Sequence, residues 1–324
     1  MILAGIDEAG YGPLLGPLVV GCCAFELAAD PALPPPCLWK KLGQVVSRKR
    51  VATGRKLHIN DSKLVYSPGT GLRELERSVL AMLSCVTGNE MPGELHALLR
   101  CAAEHVLEDV DGYPWYRPAS DEAFPIEQEA ITVRLIANAL AAELRRNETA
   151  CVYYAARVLL EKQLNRMLAA TRNKASVLFS TTAIHLDYLL RTFGDRPMLI
   201  VCDRQGGREH YGHLLRLMFE EWDLQVLTER DGLGDYCLQR GSSSVRIIFR
   251  EKAECAAMPV ALASMLSKYI REALMRRFNA FWLTHLPSVT PTAGYYNDGS
   301  RFLRDIELKR TELGIADEQL IRSR

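Results

Sequence analysis

Apolar and polar positions along this chain fall into runs that alternate between strand-like and helix-like spacing. The first run, Ile2-Leu3-Ala4-Gly5-Ile6, ends directly in two carboxylates, Asp7 and Glu8, followed by a glycine- and proline-rich turn. In a strand, successive side chains point to opposite faces, so the two acids start on opposite sides of a sheet. A second apolar run over 18–25 predicts the next strand, and Pro31 to Pro36 predict a loop. Leu72, Leu75, Val79, Leu80, Met82 and Leu83 follow helical spacing and predict a helix over 72–83. Residues 86–150 change character, with helical stretches broken by the aromatic, turn-rich run from Asp111 to Pro118. Two helices are expected near 151–170 and 175–193. Met198-Leu199-Ile200-Val201-Cys202-Asp203 is a further strand that ends in an acid, and Gly206-Gly207 then turns into a helix over 208–221. Strands are expected at 224–227 and 244–249, a long helix over 259–282, and a loop over 287–300 before one or two short helices. Strands alternating with helices predict an α/β core with a mixed sheet, in which ligands bind at the carboxyl ends of strands. Asp7, Glu8 and Asp203 fall there.

Composition narrows the classes little. The chain has 324 residues, 48% hydrophobic and 24% charged, with a formal net charge of +1. That balance excludes a strongly basic nucleic-acid coat but leaves room for a local patch. Arg48-Lys49-Arg50 with Arg55-Lys56 is such a patch, or a solvated loop. The nine cysteines include no Cys-x-x-Cys pair. This usage fits buried thiols in a reducing compartment. No charged segment precedes an apolar stretch at the start, and no apolar run approaches the roughly 18 residues of a membrane helix. The expectation is therefore a cytoplasmic protein with no membrane partner.

Gly10-x-Gly12-x-x-x-Gly16 imitates a dinucleotide fingerprint, but Leu15 stands where the third glycine belongs, and Pro13 and Pro17 break the helix that should follow. The carboxylates carry more. Asp7, Glu8, Asp203 and Glu254 lie at or near strand ends, and hard oxygen ligands suit Mg²⁺ or Mn²⁺. Two such ions can activate a water and stabilise a leaving oxygen in phosphodiester cleavage. Taken singly, acids at strand ends also serve as helix caps.

Several motifs in order resemble one family. Gly5-Ile6-Asp7-Glu8-Ala9-Gly10-Tyr11-Gly12-Pro13-Leu14-Leu15-Gly16-Pro17 resembles the opening motif of the type 2 ribonucleases H (ribonucleases HII and HIII). Asn60-Asp61-Ser62-Lys63, Asp203 with Gly206, Gly207 and Tyr211, the run from Ala263 to Glu272, and Thr292-Ala293-Gly294-Tyr295 resemble later family motifs. The resemblance covers roughly 1–85 and 175–310.

It implies a ribonuclease H-like mixed sheet flanked by helices, with a helical insertion and a C-terminal helical extension. Residues 1–85 and 151–286 would form the catalytic core, 86–150 an inserted cap-like segment and 287–324 the extension. The implied activity is cleavage of the RNA strand of RNA–DNA hybrids, leaving 3′-hydroxyl and 5′-phosphate ends. Asp7, Glu8, Asp203 and Glu254 would be the catalytic and metal-binding acids for two divalent ions, Mg²⁺ or Mn²⁺. Gly10, Tyr11, Gly12, Lys63 and Tyr295 would bind substrate, with the glycine backbone reading the ribose 2′-hydroxyl, Lys63 a phosphate and Tyr295 a deoxyribose. Two positions depart from the family. Glu254 stands where the family has Asp, with Glu251 a nearby competitor, and Tyr11 stands where the family has Arg or Lys. Tyr11 either stacks on a base or sugar or packs under the turn; Lys63 either contacts a phosphate or caps a helix; Trp115 and Tyr116 form a stacking platform or pack on each other. The expected partner is an RNA–DNA hybrid, with no obligate protein partner evident. The rival readings are a nucleic-acid-binding relative with weak or lost cleavage, and a two-metal nuclease with another nucleic-acid substrate.

Overall fold

The computed structural model describes residues 1–52, 54–67, 69–88, 91–117 and 124–323; Pro118 of the aromatic run lies outside the described residues. A seven-stranded sheet has the order β5-β2-β1-β6-β9-β8-β7. Its strands are β1 (Ile2–Ala9), β2 (Leu18–Leu27), β5 (Thr149–Leu159), β6 (Met198–Asp203), β7 (Asp223–Arg230), β8 (Leu233–Arg240) and β9 (Ser243–Arg250). The short strands β3 (Val46–Ser47) and β4 (Leu57–His58) pair apart from it. The centre, β1-β6-β9, is parallel, while β1 pairs β2, β2 pairs β5, β9 pairs β8 and β8 pairs β7 in antiparallel fashion. The expected mixed sheet flanked by helices is thus the observed architecture.

Period-two alternation sorts β1 between two cores. Ile2, Ala4 and Ile6 pack with the helix Lys174–Phe193, whereas Leu3 joins the cluster built on the long helix Met258–His285. Gly5 and Gly21 set how closely that long helix lies on the sheet. A Cβ at Gly5 would stand 2.2 Å from the Val260 nitrogen, and one at Gly21 2.4 Å from the Ala263 carbonyl oxygen. Only a bare backbone admits this approach.

The structure corrects three local expectations. The stretch expected as a helix over 151–170 is strand β5 followed by the helix Glu161–Thr171. Tyr154, Ala156 and Val158 alternate into the core, and the β-branched and aromatic residues of this run pair with β2 along its length. Helical periodicity begins only at Glu161. Strand β8 was not expected at all. It sits between tight connections at Asp231-Gly232 and Gly241-Ser242, where both glycines have positive φ, which makes β7, β8 and β9 a meander. The helix expected over 208–221 is confined to Gly212–Met218.

Residues of 86–150 contribute to the same apolar core as the long helix. Trp115 is buried and meets Phe278 edge to face at 5.4 Å, and Tyr116 is fully buried, so this pair packs internally and offers no stacking platform. The helices Tyr296–Glu312 and Asp317–Leu320 complete the described chain. Among the described residues no helix is long and apolar enough to cross a membrane.

Candidate active site

Strand register brings the first acids together. The parallel pairing of β1 and β6 ends at Ile6 opposite Cys202, so the next residues, Asp7 and Asp203, leave adjacent strand ends at the same level. Both have the parity of the face covered by the long helix. Ser267 Oγ donates to the Asp7 carbonyl at 3.1 Å, and Asp203 Oδ1 accepts the Ala253 N–H at 3.0 Å. Glu8 takes the opposite parity, and its N–H donates to Asp7 Oδ1 at 2.7 Å. Glu254 lies on the single-turn helix Ala253–Ala256 that follows β9, entered through Lys252 in a left-handed conformation (φ 52°).

The electrostatics show that these groups share one field. Burial, then the charges of Glu8 and Asp203, holds the Asp7 carboxyl well above the usual carboxylate range. Burial and Asp203 push Glu8 up to about 7. Asp203 is raised by burial, and Glu254 by burial and then by Asp203 and Asp61. The exposed Lys63 acts in the other direction on Glu8, Asp203 and Glu254. Its backbone N–H also satisfies the Asp61 carboxylate that caps Ser62–Val65, at 2.9 Å. The capping reading of Lys63 is thus seen in its backbone N–H, while its charge acts on the acids. Glu251 forms an ion pair with Arg204 at 2.5 Å, while Asp203 is among the charges that raise Glu254.

The glycine-rich turn sits directly beyond Glu8. Gly10 has φ +86°, and Gly12 is exposed with open space where a Cβ would point. Tyr11 is half-buried, with its hydroxyl against Gly206. Neither the Tyr11 nor the Gly12 N–H has a hydrogen-bond acceptor among the described residues. Tyr295 stands on the adjoining loop, 52% exposed, with the Arg271 guanidinium 5.7 Å from its ring centroid. Gly294, just before it, accepts the N–H groups of Leu14 (2.8 Å) and Leu15 (3.1 Å), which ties this loop to the turn. Ser264 packs in the long helix and donates to Ser62 Oγ at 3.0 Å, joining the two motifs beneath the acids.

Sequence reasoning missed three residues that support the turn. Arg271 donates to the Leu15 and Ala293 carbonyls, at 3.3 and 2.9 Å. Arg322 reaches the turn from the far end of the chain. Glu161, fully buried beside Arg322, lies within reach of the Gly16 backbone N–H, and burial pushes its carboxyl up to about 7. Arg271 lies in a recognised motif, but no local pattern marks Arg322 or Glu161.

Among the described residues no three His, Cys, Asp or Glu side chains are already placed to hold a metal ion. The candidate set is all carboxylate, the oxygen ligand type that hard divalent cations take.

No protein-family model matches the chain, and no curated protein matches it. Among solved structures it is similar to RNase HII in the PCNA:RNase HII complex from Archaeoglobus fulgidus, at 17% identity and a TM-score of 0.45, covering 100% of this chain and 95% of that one. It is similar to the ribonuclease H2 from Pyrococcus horikoshii OT3 at 14% identity and a TM-score of 0.40, covering 99% and 92%. Bst-RNase HIII in complex with Mn2+ gives 15% identity and a TM-score of 0.42, covering 99% of this chain and 66% of that one. The solved structures named here are all type 2 ribonucleases H.

Proposed function

We propose that this chain is a type 2 ribonuclease H: a divalent-metal-dependent endonuclease that cleaves the RNA strand of RNA–DNA hybrids. The observation that carries the reading is the field shared by Asp7, Glu8, Asp203 and Glu254 at adjacent strand ends, beside a turn with two unpartnered amides. In this reading Asp7, Glu8, Asp203 and Glu254 hold Mg²⁺ or Mn²⁺. When bound, the ions activate a water for attack on phosphorus and stabilise the leaving oxygen, giving 3′-hydroxyl and 5′-phosphate ends.

The chain's own residues orient the substrate. The Tyr11 and Gly12 amides donate to the ribose 2′-hydroxyl, the group that separates RNA from DNA. Lys63 contacts a phosphate near the acids, and Tyr295 offers an exposed ring to the sugar of the DNA strand. Residues 1–85 and 151–286 then form the catalytic core. The segment 86–150 is an insertion packed beneath the long helix, and 287–324 is an extension that reaches back to the turn.

The test is cleavage of an RNA–DNA hybrid, a DNA duplex with one ribonucleotide, and plain DNA, each with Mg²⁺ or Mn²⁺. The hybrid is cut and plain DNA is not. A nucleic-acid-binding relative with lost cleavage is the second reading, favoured by the absence, among the described residues, of a trio already set to hold an ion. Binding of the hybrid with no cleavage under either metal selects it. Cutting of another nucleic acid in preference to the hybrid selects a two-metal nuclease of different substrate.

A further inference from the structure

We infer that Arg322 is a positioning residue for ribose recognition: its guanidinium holds the Gly10-Tyr11-Gly12 turn with its free amides facing outward. This rests on the reading above.

Arg322 is 3% exposed. Its Nη1 donates to the Gly10 carbonyl at 2.5 Å and the Gly16 carbonyl at 3.4 Å, and its Nη2 to the Tyr11 carbonyl at 3.2 Å. Its backbone N–H donates to the Leu14 carbonyl at 3.0 Å. One planar group therefore gathers three carbonyls of a single turn. In a planar trans peptide the C=O of one residue and the N–H of the next point in opposite directions. Turning the Gly10 and Tyr11 carbonyls inward onto Arg322 thus turns the Tyr11 and Gly12 N–H groups away from it. Those two amides have no acceptor within the described protein, and the space above Gly12 is open.

Arg322 is itself fixed from both sides. Asn165 Nδ2 donates to the Ile321 carbonyl at 2.8 Å, and Asn165 Oδ1 accepts the Ser323 N–H at 2.7 Å. The buried Glu161 carboxyl adjoins it and, when ionised, supplies an opposing charge. A lysine at 322 would keep the charge but lose the fork that spans two carbonyls.

The experiment measures binding of the full chain, in an Asp7→Asn background that blocks cleavage, to an RNA–DNA hybrid and to a DNA duplex of the same sequence. Arg322→Lys and Arg322→Met are compared with Asn165→Ala, which loosens Arg322 without touching the turn. Thermal melting confirms that each is folded, and Arg322→Lys with Asn165→Ala suffices if Arg322→Met does not fold. The expected result is a hybrid-over-DNA preference narrowed about tenfold by Arg322→Lys, in line with the loss of one charge-assisted hydrogen bond. Asn165→Ala narrows it less, and affinity for the DNA duplex stays unchanged in both. An unchanged preference in the two folded variants, or an equal loss of affinity for both duplexes, overturns the assignment of Arg322 alone. Absence of any hybrid preference in Asp7→Asn itself overturns ribose reading by the turn, and this inference with it.

Discussion

The phenol of Tyr11 occupies the space over Gly206. A Cβ at position 206 would stand 2.6 Å from the Tyr11 hydroxyl, and Gly206 has φ +53°. Tyr11 thus packs under the turn on the Gly206 side, where burial and then the charge of Glu8 raise its phenol against the opposing pull of Arg208. Gly206→Ala is expected to destabilise by about 1–2 kcal/mol from the left-handed backbone alone. It also displaces the ring. In a double-mutant cycle with Tyr11→Ala, the steric part disappears and the backbone part remains, so the two changes are non-additive. Urea unfolding of the four proteins reads this coupling; additive effects would show that the ring does not depend on Gly206.

The acid cluster is expected to trade stability for function. Asp7 is raised first by burial and then by two neighbouring carboxylates, so each charge in this group opposes the others when no cation is present. Asp7→Asn removes one of them while keeping the shape. In EDTA at pH 8 the variant melts at a higher temperature than the wild type. Adding Mg²⁺ or Mn²⁺ raises the melting temperature of the wild type by mass action and has a smaller effect on the variant. Cleavage of the hybrid is lost. A divalent-induced rise of equal size in both proteins would place the cation away from Asp7.

How far this site was legible in the sequence depends on the range of the interaction that builds it. Asp7, Glu8 and Asp203 announce themselves because each ends an apolar strand, and β1 and β6 carry them to one level by simple register. Gly10 and Gly12 were legible for the same reason: the turn they form is local. Strand β5 reads as helix because its alanines run on into the helical spacing after Glu161, and only its pairing with β2 decides otherwise. β8 was passed over although Asp231-Gly232 is a hairpin signal. Arg322 had no local signature, since its carbonyl partners lie 306–312 residues away along the chain.

Gly5 is expected to be intolerant of a single methyl group. Its Cβ would lie 2.2 Å from the Val260 nitrogen and 2.4 Å from the Pro259 carbonyl carbon, both backbone atoms at the start of the long helix. Neither can rotate away, so the helix and β1 must separate. Gly5→Ala is expected to cost about 3 kcal/mol, the upper end of overpacking. The same separation draws Ser267 from the Asp7 carbonyl, two residues along β1. Activity measured well below the melting temperature therefore falls too. A variant with wild-type stability would mean that the helix does not rest on this strand as closely as the geometry requires.

Glu161 gives a pH dependence of defined sign. It is fully buried, and burial pushes it up to about 7 despite the backbone N–H groups of Glu161 and Gly16 and the charges of Arg322 and Arg271 nearby. Its ordinary value is 4.5. Between those values the folded chain keeps a proton that the unfolded chain has released, so stability falls as pH rises. The contribution is fully present below 4.5, declines across 4.5 to 7, and is gone above 7. A shift of this size corresponds to about 3 kcal/mol. Glu161→Gln carries no such proton, while the raised acids of the active site contribute equally to both proteins and cancel in the difference. Urea unfolding at pH 5, 6, 7 and 8 should therefore show the stability of the wild type relative to Glu161→Gln dropping by up to about 3 kcal/mol, with most of the change between pH 5 and 7. A pH-independent difference would mean that Glu161 keeps its ordinary value in the folded state, solvated or fully paired with Arg322.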